Sequence, residues 1–336
     1  MRTRQLGSTG PVVSALGLGC MSMSDAYGPS DRAEGIATIH AALDAGITLL
    51  DTGDFYAMGA NELLIRDALA GRDRSKVVLS VKFGALRDPD GAFVGYDGRP
   101  NAVKNFLAYS LRRLGTDYID VYRLARVDPN VPIEETVGAI ADMIAKGYVR
   151  HIGLSEASAD TVRRAHAVHA IADMQIEYSL ISRAIESTIL PATRGLGISI
   201  TAYGILSRGL LSGRWTGERP VAGDLRANYP RFSAENVAHN LALVEALRTI
   251  ANDKGATVAQ LAIAWVAAQG DDILPLLGSR TRAQLAEALD ALDISLTSEE
   301  LARIERAVPA SAARGARYPV PLMKHLDSER GTSPAR

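Results

Sequence analysis

Two acid-base residues and a phenol stand at the ends of apolar stretches early in the chain: Asp51 and Tyr56 in DTGDFY, and Lys82 in SVKFG. Asp51 closes Ile-Thr-Leu-Leu and Lys82 closes Val-Val-Leu-Ser-Val, so each charge ends a run suited to burial. A lone buried charge is costly, and a mutual pair accounts for both. Tyr56 lies five residues past Asp51, in the following loop and within reach of the lysine. A phenol has a reference pKa of about 10, and an adjacent ammonium favours the phenolate. The trio therefore reads as a proton donor. Asp51 holds Lys82, Lys82 lowers the pKa of Tyr56, and Tyr56 protonates an oxygen or nitrogen that becomes electron-rich as hydride reaches the neighbouring carbon. Taken alone, an Asp-Lys pair at such a place is as readily a simple ion pair.

These residues need a scaffold that brings strand ends together. Short apolar runs alternate with helical patterns about eight times, the expectation for parallel strands joined by helices. Strands are expected at 16–20, 48–52, 77–83, 118–124, 148–155, 174–179, 199–203 and 273–278, and helices at 32–45, 101–114, 133–146, 159–168 and 258–268 among others. Without a composition break, the pattern points to one (β/α)8 TIM barrel over 1–336, in which the last inward residues of each strand face the active-site mouth. No G-x-G-x-x-G follows the first strand, which counts against an open dinucleotide-binding sheet. Residues 4–6 and 12–15, around Gly-Ser-Thr-Gly-Pro, read as a β-hairpin. Two long segments, 204–232 and the tail from about 309, are the expected walls of a substrate pocket on the C-terminal face. The last six residues, 331–336, are expected to be mobile.

The chain has 336 residues, 47% hydrophobic, with 37 Lys and Arg against 38 Asp and Glu, a formal charge of −1. Such balance gives no field to draw nucleic acid or an anionic membrane, and a small-molecule partner fits better. A single cysteine, Cys20, excludes an internal disulfide, and no Cys and His spacing suggests a metal site. The absence of an apolar run near the roughly 20 residues that cross a bilayer, and of a leader pattern, implies a cytoplasmic protein. Oligomeric state is not readable.

DTGDFY, SVKFG and GLSEAS at 153–158, in this order, resemble the aldo-keto reductase family, and the resemblance runs from about 4 to about 307. It implies NADPH as cofactor and an Asp, Tyr, Lys, His tetrad, of which Asp51, Tyr56 and Lys82 are matched. Ala125, in YIDVYRLARVD at 118–128, stands where the histidine is expected. The resemblance places the hairpin as a plug under the barrel, assigns Ser155, Glu156 and Gln175 to the nicotinamide amide, and stacks Tyr203 on the nicotinamide. Glu156 occupies a position often held by Asn. Gly204, Leu206 and Ser207, with Arg208, resemble the loop over the pyrophosphate, which backbone N–H groups and a guanidinium suit. In the eighth unit Gly278, Ser279, Arg280 and Arg282 precede a helix, an anion site that the resemblance gives to the 2′-phosphate. Gln284 and Glu287 match adenosine contacts, while Ala288 replaces a usual Asn. Met21, Phe55, Ala125 and Arg126 are the expected substrate pocket.

The missing histidine removes a donor whose loss generally costs about 2.7–4 kcal/mol at a transition state. By strand alternation Arg123 faces inward with Ala125, and Arg126 begins the loop above. Arg123 is expected to pair with an acid and Arg126 to lie in solvent; the alternative is a cation that meets a substrate anion or a developing enolate. The small Ala125 leaves room for water or a bulkier acceptor such as an imine, a quinone or an activated C=C bond. The reading is a reductase of carbonyl or related C=N and C=C acceptors. An NADPH-binding sensor with little turnover and a nonredox lyase or isomerase remain open.

Overall fold

The computed structural model describes residues 1–216 and 224–330. A hairpin of β1 (Thr3–Gln5) and β2 (Val12–Ser14) precedes β3 (Gly17–Gly19), β4 (Leu49–Gly53) and β5 (Val78–Phe83). A second hairpin follows, β6 (Ala85–Arg87) with β7 (Phe93–Tyr96), and then come β8 (Ile119–Leu124), β9 (Val149–Ser155), β10 (Ile171–Glu177), β11 (Ser199–Tyr203) and β12 (Ile273–Gly278). The two hairpins stand apart, while the other eight strands pair in parallel and close into a barrel in chain order. The expected (β/α)8 architecture is the one observed.

Around the barrel lie α1 (Arg32–Asp44), α2 (Ala60–Leu69), α3 (Pro100–Leu114), α4 (Ile133–Ala145), α5 (Ala159–Val168), α6 (Ile189–Gly195), α7 (Ala234–Asp253), α8 (Val258–Ala267), α9 (Arg282–Asp290) and α10 (Ser298–Ala307). Local chemistry sets their ends. Pro100 opens α3 in its first turn and Gly115, at φ 65°, closes it in the left-handed region. Ser158 caps α5 through the Thr161 N–H, and Thr257 with Gln260 forms a capping box at α8. None of the helices among the described residues is long and apolar enough to cross a membrane.

The expected plug is present. Leu6 and Val13, from the first hairpin, pack against Leu49, Val121, Leu274 and Leu276 to seal the barrel's N-terminal end. Above this apolar floor the inward positions turn polar, and the register of β10 shows why. The strand begins at Ile171, before the expected 174, because Asp173, which interrupts the apolar run, points inward to Arg123. Of the expected pocket walls, 217–223 and 331–336 lie outside the described residues.

Gly153 on β9 makes the room for that contact. A Cβ there would lie 2.5 Å from Asp173 Oδ1 and 2.9 Å from Arg123 Nε. Gly153→Ala is expected to destabilise the protein by about 1–3 kcal/mol, as overpacking does. Gly138→Ala, inside α4 where an added Cβ meets nothing within 4 Å, should be neutral or stabilising by about 0.5–1 kcal/mol. Urea unfolding of the two variants checks this; equal midpoints would count against a tight fit at Gly153.

Candidate active site

The polar layer inside the barrel centres on Asp51. Its Oδ1 accepts from Lys82 Nζ, and its Oδ2 from Arg123 Nη1 at 2.9 Å, Ser80 Oγ at 2.9 Å and Gln175 Nε2 at 2.8 Å. Arg123 reaches onward to Asp173, which also accepts from Thr201 Oγ1 at 2.5 Å. Two carboxylates thus meet two cations, all buried. Arg123 pairs with acids, as expected. Gln175, assigned by resemblance to the cofactor amide, is committed here to Asp51, and beside it in register on β9 stands the buried Ser155.

Tyr56 begins the turn after β4, in which Ala57 and Met58 adopt φ of 45° and 52°. Lys82 Nζ lies 5.0 Å from the centre of its ring, and the Phe55 edge packs at 5.0 Å between centroids. The spatial trio of Asp51, Lys82 and Tyr56 is assembled, but its expected electrostatics need correction. Burial, then Asp51 and Tyr27, push the Tyr56 pKa well above its usual value, and the opposing cation is Arg126, not Lys82. Burial also lowers the Lys82 pKa and Arg123 adds to this, against the pull of Asp51. Desolvation leads because the half-buried phenol is packed at the mouth beside the Asp51 carboxylate.

Ala125 follows β8, buried, its N–H bonded to Phe83 O at 2.9 Å. Arg126 is the second correction. It does not extend into solvent but lies across the mouth, with Nη1 2.6 Å from Ala125 O and 3.4 Å from Ser155 Oγ, and Nη2 3.5 Å from the Tyr318 hydroxyl. Met21 lies in the turn that follows β3.

A second charged layer covers the mouth. Glu156, at φ 53°, accepts from Arg317 through both oxygens, from the Ser328 hydroxyl at 2.6 Å and from the Tyr203 hydroxyl at 2.6 Å. It therefore fastens the tail, a role unlike the expected amide contact. Tyr203 also bonds the Tyr318 hydroxyl at 2.8 Å. Glu177 pairs with Arg208 at 3.0 Å and Arg231 at 3.3 Å. Arg208 lies over the rings of Tyr229 and Tyr318 at 4.3 and 4.6 Å. In its loop, with Gly204 and Leu206, the Ser207 N–H is already bonded to Gly204 O at 2.6 Å, so that expected phosphate donor is engaged.

In the eighth unit Ser279 is buried, Gly278 is exposed, and Thr281 caps α9 through the Gln284 N–H. Arg280 donates to Tyr27 O at 2.9 Å, and its own N–H to Gln284 Oε1 at 3.1 Å. Arg282 is salt-bridged to Glu34 and Glu287 to Arg214, both at the surface.

The profile of the Aldo/keto reductase family matches residues 15–309. The chain belongs to the aldo-keto reductase family. A "Probable aldo-keto reductase 1" from Glycine max is 43% identical over 318 residues, 94% of this chain and 91% of that protein. Among solved structures, a glycerol dehydrogenase from Gluconobacter oxydans superposes with a TM-score of 0.84 at 28% identity, over 99% of this chain and 98% of that one. An aldo-keto reductase from Bacillus halodurans in its holo form gives 0.78 at 29% identity, over 94% and 99%. Membership in the aldo-keto reductases makes this chain an oxidoreductase that exchanges hydride between carbonyl compounds and a nicotinamide cofactor.

Sequence reading passed over Arg317 and Tyr318 as individual residues, since nothing local marks them. It also passed over Asp54, which DTGDFY itself contains. Neither Asp54 oxygen has a partner of hydrogen-bond geometry among the described residues. Burial, then the nearby Glu62 carboxylate, push its pKa up to about 8, offset only in part by Arg113 and the N–H groups of Phe55 and Gly84. The folded state thus holds a proton that the unfolded chain, with a carboxyl near pKa 3.9, releases. Between these values stability falls as pH rises. Asp54→Asn is expected to gain on the wild type by up to about 1.4 kcal/mol per pH unit from about pH 4 to 8, then hold level. Unfolding curves across that range measure it, and a constant difference would mean Asp54 is ionised in the fold.

Proposed function

We propose that this aldo-keto reductase is an NADPH-dependent reductase of carbonyl or related C=N and C=C acceptors, with Tyr56 as its general acid. The observation that carries this is the Tyr56 ring held against Lys82, which Asp51 locks, at the C-terminal end of the strands. The residues present fit the cofactor: Arg280 has no carboxylate partner among the described residues and Gly278 beside it is exposed with open space around its Cα. Arg208, in the loop after β11, lies over the rings of Tyr229 and Tyr318. NADPH, when bound, supplies the hydride.

The chain's own residues do the rest. With its pKa raised by burial, Tyr56 keeps its proton at neutral pH and releases it when the acceptor's oxygen or nitrogen gains charge. Hydride at carbon and this proton at the heteroatom complete the reduction, and the phenolate is stabilised by Arg126 until it is reprotonated. Asp51 keeps Lys82 fixed beneath the ring. Arg280 and Ser279 would hold the 2′-phosphate, and Tyr203, inward at the end of β11, the nicotinamide face. A second reading, an NADPH sensor with little turnover, draws on Ala125, which offers no side-chain donor. Single-turnover loss of NADPH absorbance over a panel of aldehydes, quinones, imines and enones separates the two, since a sensor binds without oxidation.

Tyr56→Phe should lower turnover by about 10²–10⁴-fold while NADPH still binds, which is the range for a lost general acid. Wild-type turnover in that variant with chemistry rate-limiting would remove Tyr56 from the role. Arg280→Ala should erase about 1.5–3 kcal/mol of preference for NADPH over NADH, the value of a charged hydrogen bond. Arg282→Ala should do less, because its guanidinium already spends its charge on Glu34 at the surface. Fluorescence titration with both cofactors tests this, and a larger effect at Arg282 would reverse the assignment.

A further inference from the structure

Three arginines at the barrel mouth have carboxylate partners. Arg317 lies on Glu156 and Glu329, and Arg208 and Arg231 share Glu177. Arg126 has no acid within salt-bridge range among the described residues. Its five N–H donors meet one short acceptor, the Ala125 carbonyl at 2.6 Å, and two long ones, Ser155 Oγ at 3.4 Å and the Tyr318 hydroxyl at 3.5 Å. The Tyr318 ring stands 6.0 Å from the guanidinium carbon. A planar cation withdrawn from bulk water and left with neutral oxygens is costly unless something else completes it.

Its surroundings say what would complete it. Burial works against its charge, yet the oxygens of Tyr203 and Tyr318, the Glu156 carboxylate and then Tyr96 hold its pKa above the ordinary arginine value. Arg126 is also the cation that opposes the raised pKa of Tyr56, and it follows directly on Ala125, whose carbonyl it holds at 2.6 Å at the C-terminal end of β8. Arg208 and Arg280 are placed for the cofactor's phosphates, so this charge is not needed there. A permanent anion matches a guanidinium in the ground state, and a carboxylate matches it in two parallel hydrogen bonds. The Ser155 hydroxyl, which accepts from Arg126 at 3.4 Å, has its own proton to donate to the same oxygens.

We propose that Arg126 forms a carboxylate subsite, and that the substrates of this enzyme are short oxo acids whose carboxylate lies on Arg126 while their carbonyl oxygen lies at Tyr56. The proposal rests on the reductase reading above. It assigns specificity to a loop residue and binding energy to an anion that takes no part in the hydride step. Binding energy from such a remote group can be used to orient the reacting carbon.

The test pairs charge with a neutral isostere. Oxamate and oxamide are titrated calorimetrically into the full-length protein, with and without NADP⁺, for wild type, Arg126→Met and Arg126→Lys. Wild type is expected to favour oxamate by at least about tenfold, a preference that Arg126→Met abolishes and Arg126→Lys keeps in part. Kinetics run alongside, with oxo acids of increasing length each compared with its primary amide, and the acid-to-amide ratio of kcat/KM should fall in the same order of variants. Thermal unfolding of each variant shows that it is folded. Equal binding of oxamate and oxamide by the wild type, or a preference that survives Arg126→Met, overturns the subsite. Oxamate discrimination without oxidation of NADPH by any carbonyl would keep the subsite and remove the reductase reading. NADPH oxidation by neutral aldehydes without oxamate discrimination would do the opposite.

Discussion

Asp51 accepts four hydrogen bonds inside the barrel, and the geometry of the site depends on them. The donors come from β5, β8 and β10, so one carboxylate ties four strands together at the level just beneath the mouth. Neither Lys82 nor Arg123 could be buried without it, since breaking a buried ion pair by removing one partner costs about 3–5 kcal/mol. Arg123 would still exceed the charge of Asp51, and Asp173 restores neutrality. Gly153 is the steric condition for that second pair. The inward residues of five adjacent strands, β4, β5, β8, β9 and β10, are therefore one interdependent set, and the position of Lys82 under Tyr56 follows from it.

The mouth obeys a different rule. All eight strands present their C-terminal ends on one side, so the loops after β5, β8 and β11 and the tail meet over the same opening. They are held there by charge, and not by an apolar lid. Glu156 and Glu177, both fully buried, take Arg317, Arg208 and Arg231 from three separate segments. Tyr318 joins these groups to the Arg126 side through its hydroxyl and ring. The strained φ at Glu156, Ser207 and Arg208 falls in this same region, where non-glycine residues in the left-handed conformation tend to mark functional loops.

Much of the barrel was legible because parallel strands buried on both faces leave continuous apolar runs, and here the expected strands lie within a few residues of the observed ones. The error at the start of β10 has the same physics behind it. Asp173 ends the apolar run in sequence, but its partner Arg123 is 50 positions away, so local pattern cannot show that the carboxylate belongs indoors. The β6–β7 hairpin was hidden by Asp-Pro-Asp-Gly and polar flanks that read as loop. In the site, Asp51, Tyr56 and Lys82 were recoverable from spacing, whereas the ionisation of Tyr56 was not, because burial is a property of the whole mouth. Arg126 was misplaced for the reason that Tyr318, which folds onto it, is 192 residues further along.

Arg123 and Arg126 stand three positions apart and meet opposite fates. Arg123 points down the barrel, where two carboxylates cancel it, so it lends no net field to a ligand. Arg126 points across the top, where its hydrogen bonds go to a carbonyl and two hydroxyls and no carboxylate lies within salt-bridge range among the described residues. Ala125 between them carries no polarity of its own. A histidine there could donate to a carbonyl oxygen, and alanine offers no such donor. The interior network thus fixes where Tyr56 stands, and on the proposed reading the charge of Arg126 at the rim selects the acceptor drawn to it.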